Sequence, residues 1–288
     1  MNSPIPTVTL ANGVEMPQIG YGVYQISPIE TEQCVIEALR TGYRMIDTAQ
    51  VYKNEEGVGA GIAKSGLKRE EVFLVSKIWI SNYGDVRTTE ALDESLRRLN
   101  TDYVDLMLLH QPFCDRYGAW RALEKAYKAG KCRAIGVSNF FADHIVDLAV
   151  NNEIAPMVNQ METHVFQQRK TLRPFLDELN CRLMAWGPLA EGKNGFFTNP
   201  VLAEIGKAHG KSIAQVALRF LLEKGVIVIP KTTHADRMRE NLDILGFSLA
   251  ADEIAAIEAL DADKSLFFDH HDGAVAKQFV TEWRGLAD

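Results

Sequence analysis

The chain has 288 residues, 47% of them apolar, and 31 Lys and Arg stand against 38 Asp and Glu for a formal net charge of −7. That length suits one large domain or two small ones, and an acid excess without any Lys/Arg run argues against a nucleic-acid surface. The longest apolar runs are strand-length, too short for a membrane-spanning helix, and Cys34, Cys114, Cys132 and Cys181 lack zinc or redox spacing, so they read as free thiols of a cytoplasmic protein.

The first residues, Met1-Asn2-Ser3-Pro4, lack the basic and apolar regions of a signal peptide. Residues 7–16 read as a β-hairpin with Asn12-Gly13 as a type I′ turn, and Pro17 stops its second strand. No partner strand follows, so the hairpin is expected to cap the main fold. From Ile19 onward strand-like and helix-like segments alternate. Strands are expected at 19–22, 45–49, 72–78, 104–110, 132–139, 157–162, 182–187 and 226–230. Helices are expected at 28–42, 54–65, 87–99, 117–130, 142–152, 169–180, 212–224 and 235–244. Leu92, Leu96 and Leu99 illustrate the helical spacing of apolar residues. Eight such units over about 250 residues predict a (β/α)8 TIM barrel. An open doubly wound sheet shares the alternation, because periodicity does not register closure. No Pro/Gly/Ser-rich linker divides the units, which predicts a single domain over 1–288. A ninth helix is expected at 251–261. The tail from 263 to 288 shows no clear period, but Leu266, Phe267, Phe268, Phe279 and Trp283 make it too aromatic for a free end. It is expected to fold back over the barrel mouth. His270 and His271 read as solvated tail residues, and no metal site is expected.

In a TIM barrel the C-terminal ends of all strands face one mouth. Those ends carry Tyr24, Asp47, Lys77, His110, Ser138 with Asn139, Gln160, Trp186, and Lys231 with Thr232. The strand interiors are almost wholly apolar, where polar groups are costly unless they satisfy each other or a ligand. Asp47, Lys77 and His110 at three strand ends, with Tyr52 in the loop after Asp47, form a proton-transfer set. Taken singly, each has a plainer reading: a buried Asp47–Lys77 ion pair, a packed Tyr52, a core His110.

At this point the chain resembles the aldo-keto reductase family over essentially its whole length. The resemblance rests on Gly42-Tyr43-Arg44-Met45-Ile46-Asp47-Thr48-Ala49, Tyr52-Lys53-Asn54-Glu55, Ser76-Lys77-Ile78-Trp79 and Leu108-Leu109-His110-Gln111-Pro112. It continues through the run from Gly130 to Phe140, Val158-Asn159-Gln160, Ala185-Trp186-Gly187-Pro188-Leu189 and Ile229-Pro230-Lys231-Thr232. Within the family the chain is most similar to short-loop members near the 2,5-diketo-gluconate reductases and prostaglandin F synthases. The family implies NADPH-dependent reduction of aldehydes, ketones or α-dicarbonyls. It uses no Rossmann domain, and no Gly-x-Gly-x-x-Gly follows a strand here.

The matching positions imply the following roles. Tyr52 donates a proton to the carbonyl oxygen. Its phenol, with a pKa near 10, is expected to be lowered by Lys77, which Asp47 holds charged. His110 donates to the same oxygen and orients it. Ser138, Asn139 and Gln160 hold a carboxamide, and Trp186 offers the nicotinamide a flat face. Gly187, where relatives usually carry serine, and Leu189 also adjoin the cofactor. Lys231, Thr232, Thr233 and Arg237 surround an adenosine 2′-phosphate, and Glu240 and Asn241 meet the adenine. Asp236 is the one acid close enough to favour an unphosphorylated ribose. Tyr24, Trp79, His110, Gln111 and Phe113 line the substrate end. Many relatives have tryptophan at the positions of Tyr24 and Gln111, so this pocket is expected to be roomier or more polar. The short loop from Phe113 to Gly118, which carries Cys114, points to broad specificity. The partner is thus a small-molecule carbonyl, and the protein a monomer. A cofactor-binding regulatory or scaffold subunit on the same fold is the alternative. Glutamate at the His110 position would have indicated a steroid double-bond reductase.

Overall fold

The computed structural model describes residues 5–287; Met1 to Pro4, which carry the signal-peptide expectation, and Asp288 lie outside them. The chain opens with β1 (Thr7–Thr9) and β2 (Glu15–Pro17), an antiparallel pair in the register Thr7↔Pro17 and Thr9↔Glu15. The turn differs from the expected type I′. Only Gly13 has positive φ, at 85°, and Gly13 N donates to Leu10 O at 2.9 Å. Asn12 instead donates its side-chain amide to Arg133 O at 2.9 Å, a tertiary contact, while its Oδ1 accepts locally from Val14 N.

The barrel follows as β3 (Tyr21–Gly22), α1 (Pro28–Thr41), β4 (Met45–Asp47), α2 (Glu55–Lys64), β5 (Phe73–Ile78), α3 (Asp85–Leu99), β6 (Val104–Leu109), α4 (Arg116–Lys128), β7 (Cys132–Ser138), α5 (Ala142–Val150), β8 (Val158–Glu162), α6 (Arg173–Glu178), β9 (Arg182–Trp186), α7 (Pro200–His209), α8 (Ile213–Glu223), β10 (Ile227–Val228) and α9 (Ala235–Leu242). After these come α10 (Ala251–Glu258) and α11 (Gly273–Thr281). The strands from β3 to β10 pair in sequence order, all parallel.

Closure settles the choice between barrel and open sheet. Ile19, just before β3, bridges Val228 of β10 in parallel. Gly20 N donates to Val228 O at 2.8 Å, and Val228 N to Gln18 O at 2.9 Å. Every residue of β5 and β6 is buried, as expected of parallel strands covered on the outside by helices. Gly136 of β7 is required by packing, since a Cβ there would meet Val158 O at 2.4 Å. Helix ends follow local chemistry. Ser27 caps α1 with Pro28 at its first position, and Gly42 ends it at φ 122°, returning its N–H to Ala38 O and Leu39 O.

The hairpin sits at the N-terminal ends of the strands, opposite the mouth. Arg182, at the start of β9, donates to Thr9 O at 3.0–3.1 Å, and Arg133, near the start of β7, meets Asn12. Two helices were not expected. The first is α7, which follows a run of Gly, Asn and Phe; Asn199 caps it and Pro200 opens it. The second is α11, inside the aperiodic tail. The tail does cover the mouth: Trp79 Nε1 donates at 3.0 Å to the carbonyl oxygens of both Trp283 and Arg284.

Candidate active site

A cavity of about 790 Å³ opens at the C-terminal ends of the strands. Asp47 ends β4, Lys77 lies near the end of β5, and His110 directly follows β6. Tyr52 ends a single 3-10 turn, Gln50–Tyr52, that follows β4. Lys77 Nζ lies 2.6 Å from Asp47 Oδ1, 2.8 Å from Thr48 O and 3.4 Å from Tyr52 Oη. The second Asp47 oxygen accepts from Gln160 Nε2 at 2.8 Å. The Tyr52 and His110 rings meet edge-on, with centroids 5.8 Å apart. The four side chains are therefore together: Asp47, Tyr52 and His110 line the cavity, and Lys77 is fully buried against Asp47 and Tyr52.

Burial sets their protonation. Tyr52 is pushed well above the ordinary tyrosine value by burial first, then by the negative charge of Asp47 and by Tyr24. This differs from the lowering expected of Lys77. The ammonium is engaged at 2.6 Å by Asp47 and stands at a long 3.4 Å from the phenol, so desolvation wins. Tyr52 is thus a neutral phenol carrying a proton. Burial also lowers Lys77, which the adjacent Asp47 carboxylate opposes. His110 is held well below the ordinary histidine value by burial and by the Lys77 charge. It is a neutral imidazole whose Nδ1 is buried without a hydrogen-bond partner among the described residues, so the ring meets the cavity through Nε2.

The neutral polar residues form a second group. Asn139 has φ 65° directly after β7, a left-handed turn that asparagine tolerates. That turn lets its Nδ2 donate to His110 O at 3.0 Å and to Ser138 Oγ at 3.1 Å, while its Oδ1 accepts from Trp186 Nε1 at 2.9 Å. Ser138 Oγ donates to Gln160 O at 2.8 Å. Trp186 stacks at 27° on Phe268 and meets Phe267 edge-on. Gly187 has φ 60°, backbone that glycine adopts without the penalty a serine would meet.

Of the remaining expected residues, Tyr24, Trp79, Gln111, Gly187, Leu189 and Lys231 line the cavity. Phe113 stands back from it. Its ring packs against Phe279 at 5.4 Å and His270 at 5.8 Å, so it supports the tail rather than the lining. Thr232 is buried, with Oγ1 accepting from His234 N at 3.1 Å. Thr233 and Arg237 are exposed at the start of α9. Glu240 accepts from Ser212 Oγ, and Asn241 is buried. Asp236 is almost fully exposed and tied to Arg239. His270 corrects the expectation of a solvated residue, being buried in an aromatic box under the tail, whereas His271 is exposed. Cys114 is exposed; desolvation raises its pKa, so it is a thiol rather than a thiolate.

Sequence reasoning missed three buried polar residues that hold the site in shape. Gln50 Oε1 accepts from Trp79 N at 3.0 Å. Asn54 Nδ2 donates to Val23 O at 3.0 Å, and its Oδ1 accepts from Thr48 Oγ1 at 2.8 Å. Glu162, ending β8, bonds His164 at 3.0 Å and accepts from Leu266 N at 2.8 Å, which anchors the tail beside Trp186. A carboxylate at the end of a fully buried strand, after Met161, was the available signal for Glu162.

Residues 10–262 match the model of the aldo/keto reductase family. The chain is 48% identical over 260 residues to the glyoxal reductase of Bacillus subtilis, covering 90% of this chain and 94% of that protein. It is 39% identical over 265 residues to the methylglyoxal reductase of Escherichia coli, covering 91% and 96%. Among solved structures it is similar to a Bombyx mori aldo-keto reductase in complex with NADP, with a TM-score of 0.88 at 32% identity, covering 93% and 96%.

Proposed function

The chain belongs to the aldo/keto reductase family, and from that premise we propose how its residues reduce a carbonyl group to an alcohol with NADPH. The observation that carries the reading is the meeting of a neutral phenol and a neutral imidazole in the wall of one cavity, with a buried, Asp-held ammonium against the phenol.

When bound, the reduced nicotinamide supplies the hydride. Tyr52 supplies the proton: its O–H donates to the carbonyl oxygen and transfers as negative charge builds there. Lys77 Nζ, at 3.4 Å, stabilises the phenolate left behind, and Asp47 holds that ammonium in place. His110, neutral with its proton on Nε2, donates to the same oxygen and fixes its direction. Solvent then returns a proton to Tyr52.

The residues present fit a nicotinamide. Gln160 commits its NH2 to Asp47 and leaves its carbonyl oxygen as an acceptor for a carboxamide, and Trp186 brings an aromatic face to the cavity. Preference for NADPH rests on Lys231 and Arg237. Both are exposed, and neither has a salt bridge among the described residues, whereas the acid Asp236 is occupied by Arg239. An ion-paired carboxylate is a poor partner for a free ribose hydroxyl, and two unpaired cations suit a 2′-phosphate. The reading includes a monomer in the cytoplasm, consistent with the acidic net charge and four free thiols. Among the described residues no helix is long and apolar enough to cross a membrane.

The test is a panel of aldehydes, ketones and α-dicarbonyls incubated with purified protein and NADPH, without added metal. Loss of NADPH absorbance with several of them is expected. Bound NADPH with no turnover on any would return the protein to a regulatory or scaffold role.

A further inference from the structure

Gln111 and His270 are 159 residues apart, and neither belongs to the proton-transfer set. Gln111 follows His110 directly and lines the same cavity. Its backbone is locked by one phenol: Tyr83 Oη donates to Gln111 O at 2.9 Å and accepts from Gln111 N at 3.1 Å. Its side-chain Oε1 lies 2.8 Å from His270 Nε2. The His270 ring is held by its surroundings. It stacks on Phe279 at 12° and 5.6 Å, on Phe113 at 25° and 5.8 Å, and meets Phe268 edge-on at 5.0 Å.

These contacts have a directional consequence. An imidazole N–H that donates to Oε1 fixes which end of the amide is used internally. The Gln111 NH2 group then has no partner among the described residues, and it stands in the cavity wall one residue from the group that fixes the reacting oxygen. An unmet donor in a largely desolvated wall favours ligands that carry an acceptor there.

We propose that Gln111, oriented by His270 of the C-terminal tail, binds a second substrate oxygen next to the carbonyl being reduced, so that the site selects 2-oxoaldehydes and other α-dicarbonyls over simple aldehydes. Gln111 is the specificity-determining residue and His270 a positioning residue acting through it. The proposal rests on the reductase reading given above. Its chemistry is plain: in an α-dicarbonyl the second oxygen sits on the neighbouring carbon. That oxygen is an acceptor only, matching an NH2 group that is a donor only.

The test compares kcat/KM for methylglyoxal with that for propanal, which has the same chain length and no second oxygen, using NADPH-loaded protein. Hydration of each substrate is the same for every variant and cancels in the comparison. Gln111→Met, which keeps the volume and removes the donor, is expected to lower the methylglyoxal-to-propanal ratio about three- to tenfold, the worth of one neutral hydrogen bond. His270→Phe, which keeps the aromatic box and frees the amide, should lower the ratio in the same direction. His270→Gln, which retains a donor toward Oε1, should restore part of it. An unchanged ratio in Gln111→Met overturns the proposal, whatever happens to absolute rates. A changed ratio in Gln111→Met with none in His270→Phe overturns the positioning role. If wild-type protein reduces neither substrate, the reductase reading itself fails, which the ratio test keeps distinct.

Discussion

Lys77 Nζ stands 3.4 Å from Tyr52 Oη and 2.6 Å from Asp47 Oδ1, so the ammonium is bonded to the acid and only adjacent to the phenol. Because both charges are buried, removing one alone leaves the other uncompensated. Lys77→Met is expected to cost about 3–5 kcal/mol of stability and nearly all activity. The double variant Asp47→Asn with Lys77→Met should regain most of the stability and none of the activity. Denaturant unfolding and turnover of the two variants check this; recovered activity in the double variant would show that the ammonium is dispensable.

Two buried histidines make stability depend on pH. Burial pushes His270 down to about 3, with the Arg169, His144 and His271 charges helping and Asp269 opposing. His110 is also held well below its ordinary value. The unfolded chain protonates both near pH 6.5, so below that value it binds more protons than the native state. Their contribution is fully present above about pH 6.5 and is lost as pH falls toward the native values. His270→Phe removes one such group. The stability advantage of wild type over this variant should shrink by about 1 kcal/mol per pH unit between about pH 6 and 5. Parallel stability curves over that interval would mean that His270 is protonated in the native state.

The proposed cofactor choice rests on two exposed cations, Lys231 and Arg237. Each charge-assisted hydrogen bond is worth roughly 1.5–3 kcal/mol, so Lys231→Met and Arg237→Met should each weaken NADPH binding about tenfold to a hundredfold. NADH binding should hardly change, and added salt should weaken NADPH more than NADH. Titration of both cofactors against both variants decides this. Equal losses for NADH and NADPH would remove the phosphate assignment.

The strand ends were the most legible part of the sequence, because an apolar strand that stops at Asp47 or just before His110 marks its own end with a change of polarity, whereas Gln160 lies in the middle of β8. Closure was not legible, since the link from Ile19 to Val228 joins residues at opposite ends of the repeat. Asn12-Gly13 was misread because its side-chain bond to Arg133 lies 121 residues away and overrides the local turn preference. His270 looked solvated for the same reason: its box is built from Phe113, Phe141, Phe268 and Phe279, which only the closed tail brings together. The Tyr52 shift was misjudged because sequence places Lys77 near the phenol but not how deeply both are buried.

The most direct test of the mechanism is single turnover of Tyr52→Phe with bound NADPH and methylglyoxal. The variant lacks only the hydroxyl, so fold and NADPH affinity should match wild type. The rate of NADPH oxidation should fall by about 10²–10⁴, the usual worth of a general acid. A rate close to wild type, with the cofactor shown to be bound, would contradict the assignment of Tyr52 as the proton donor.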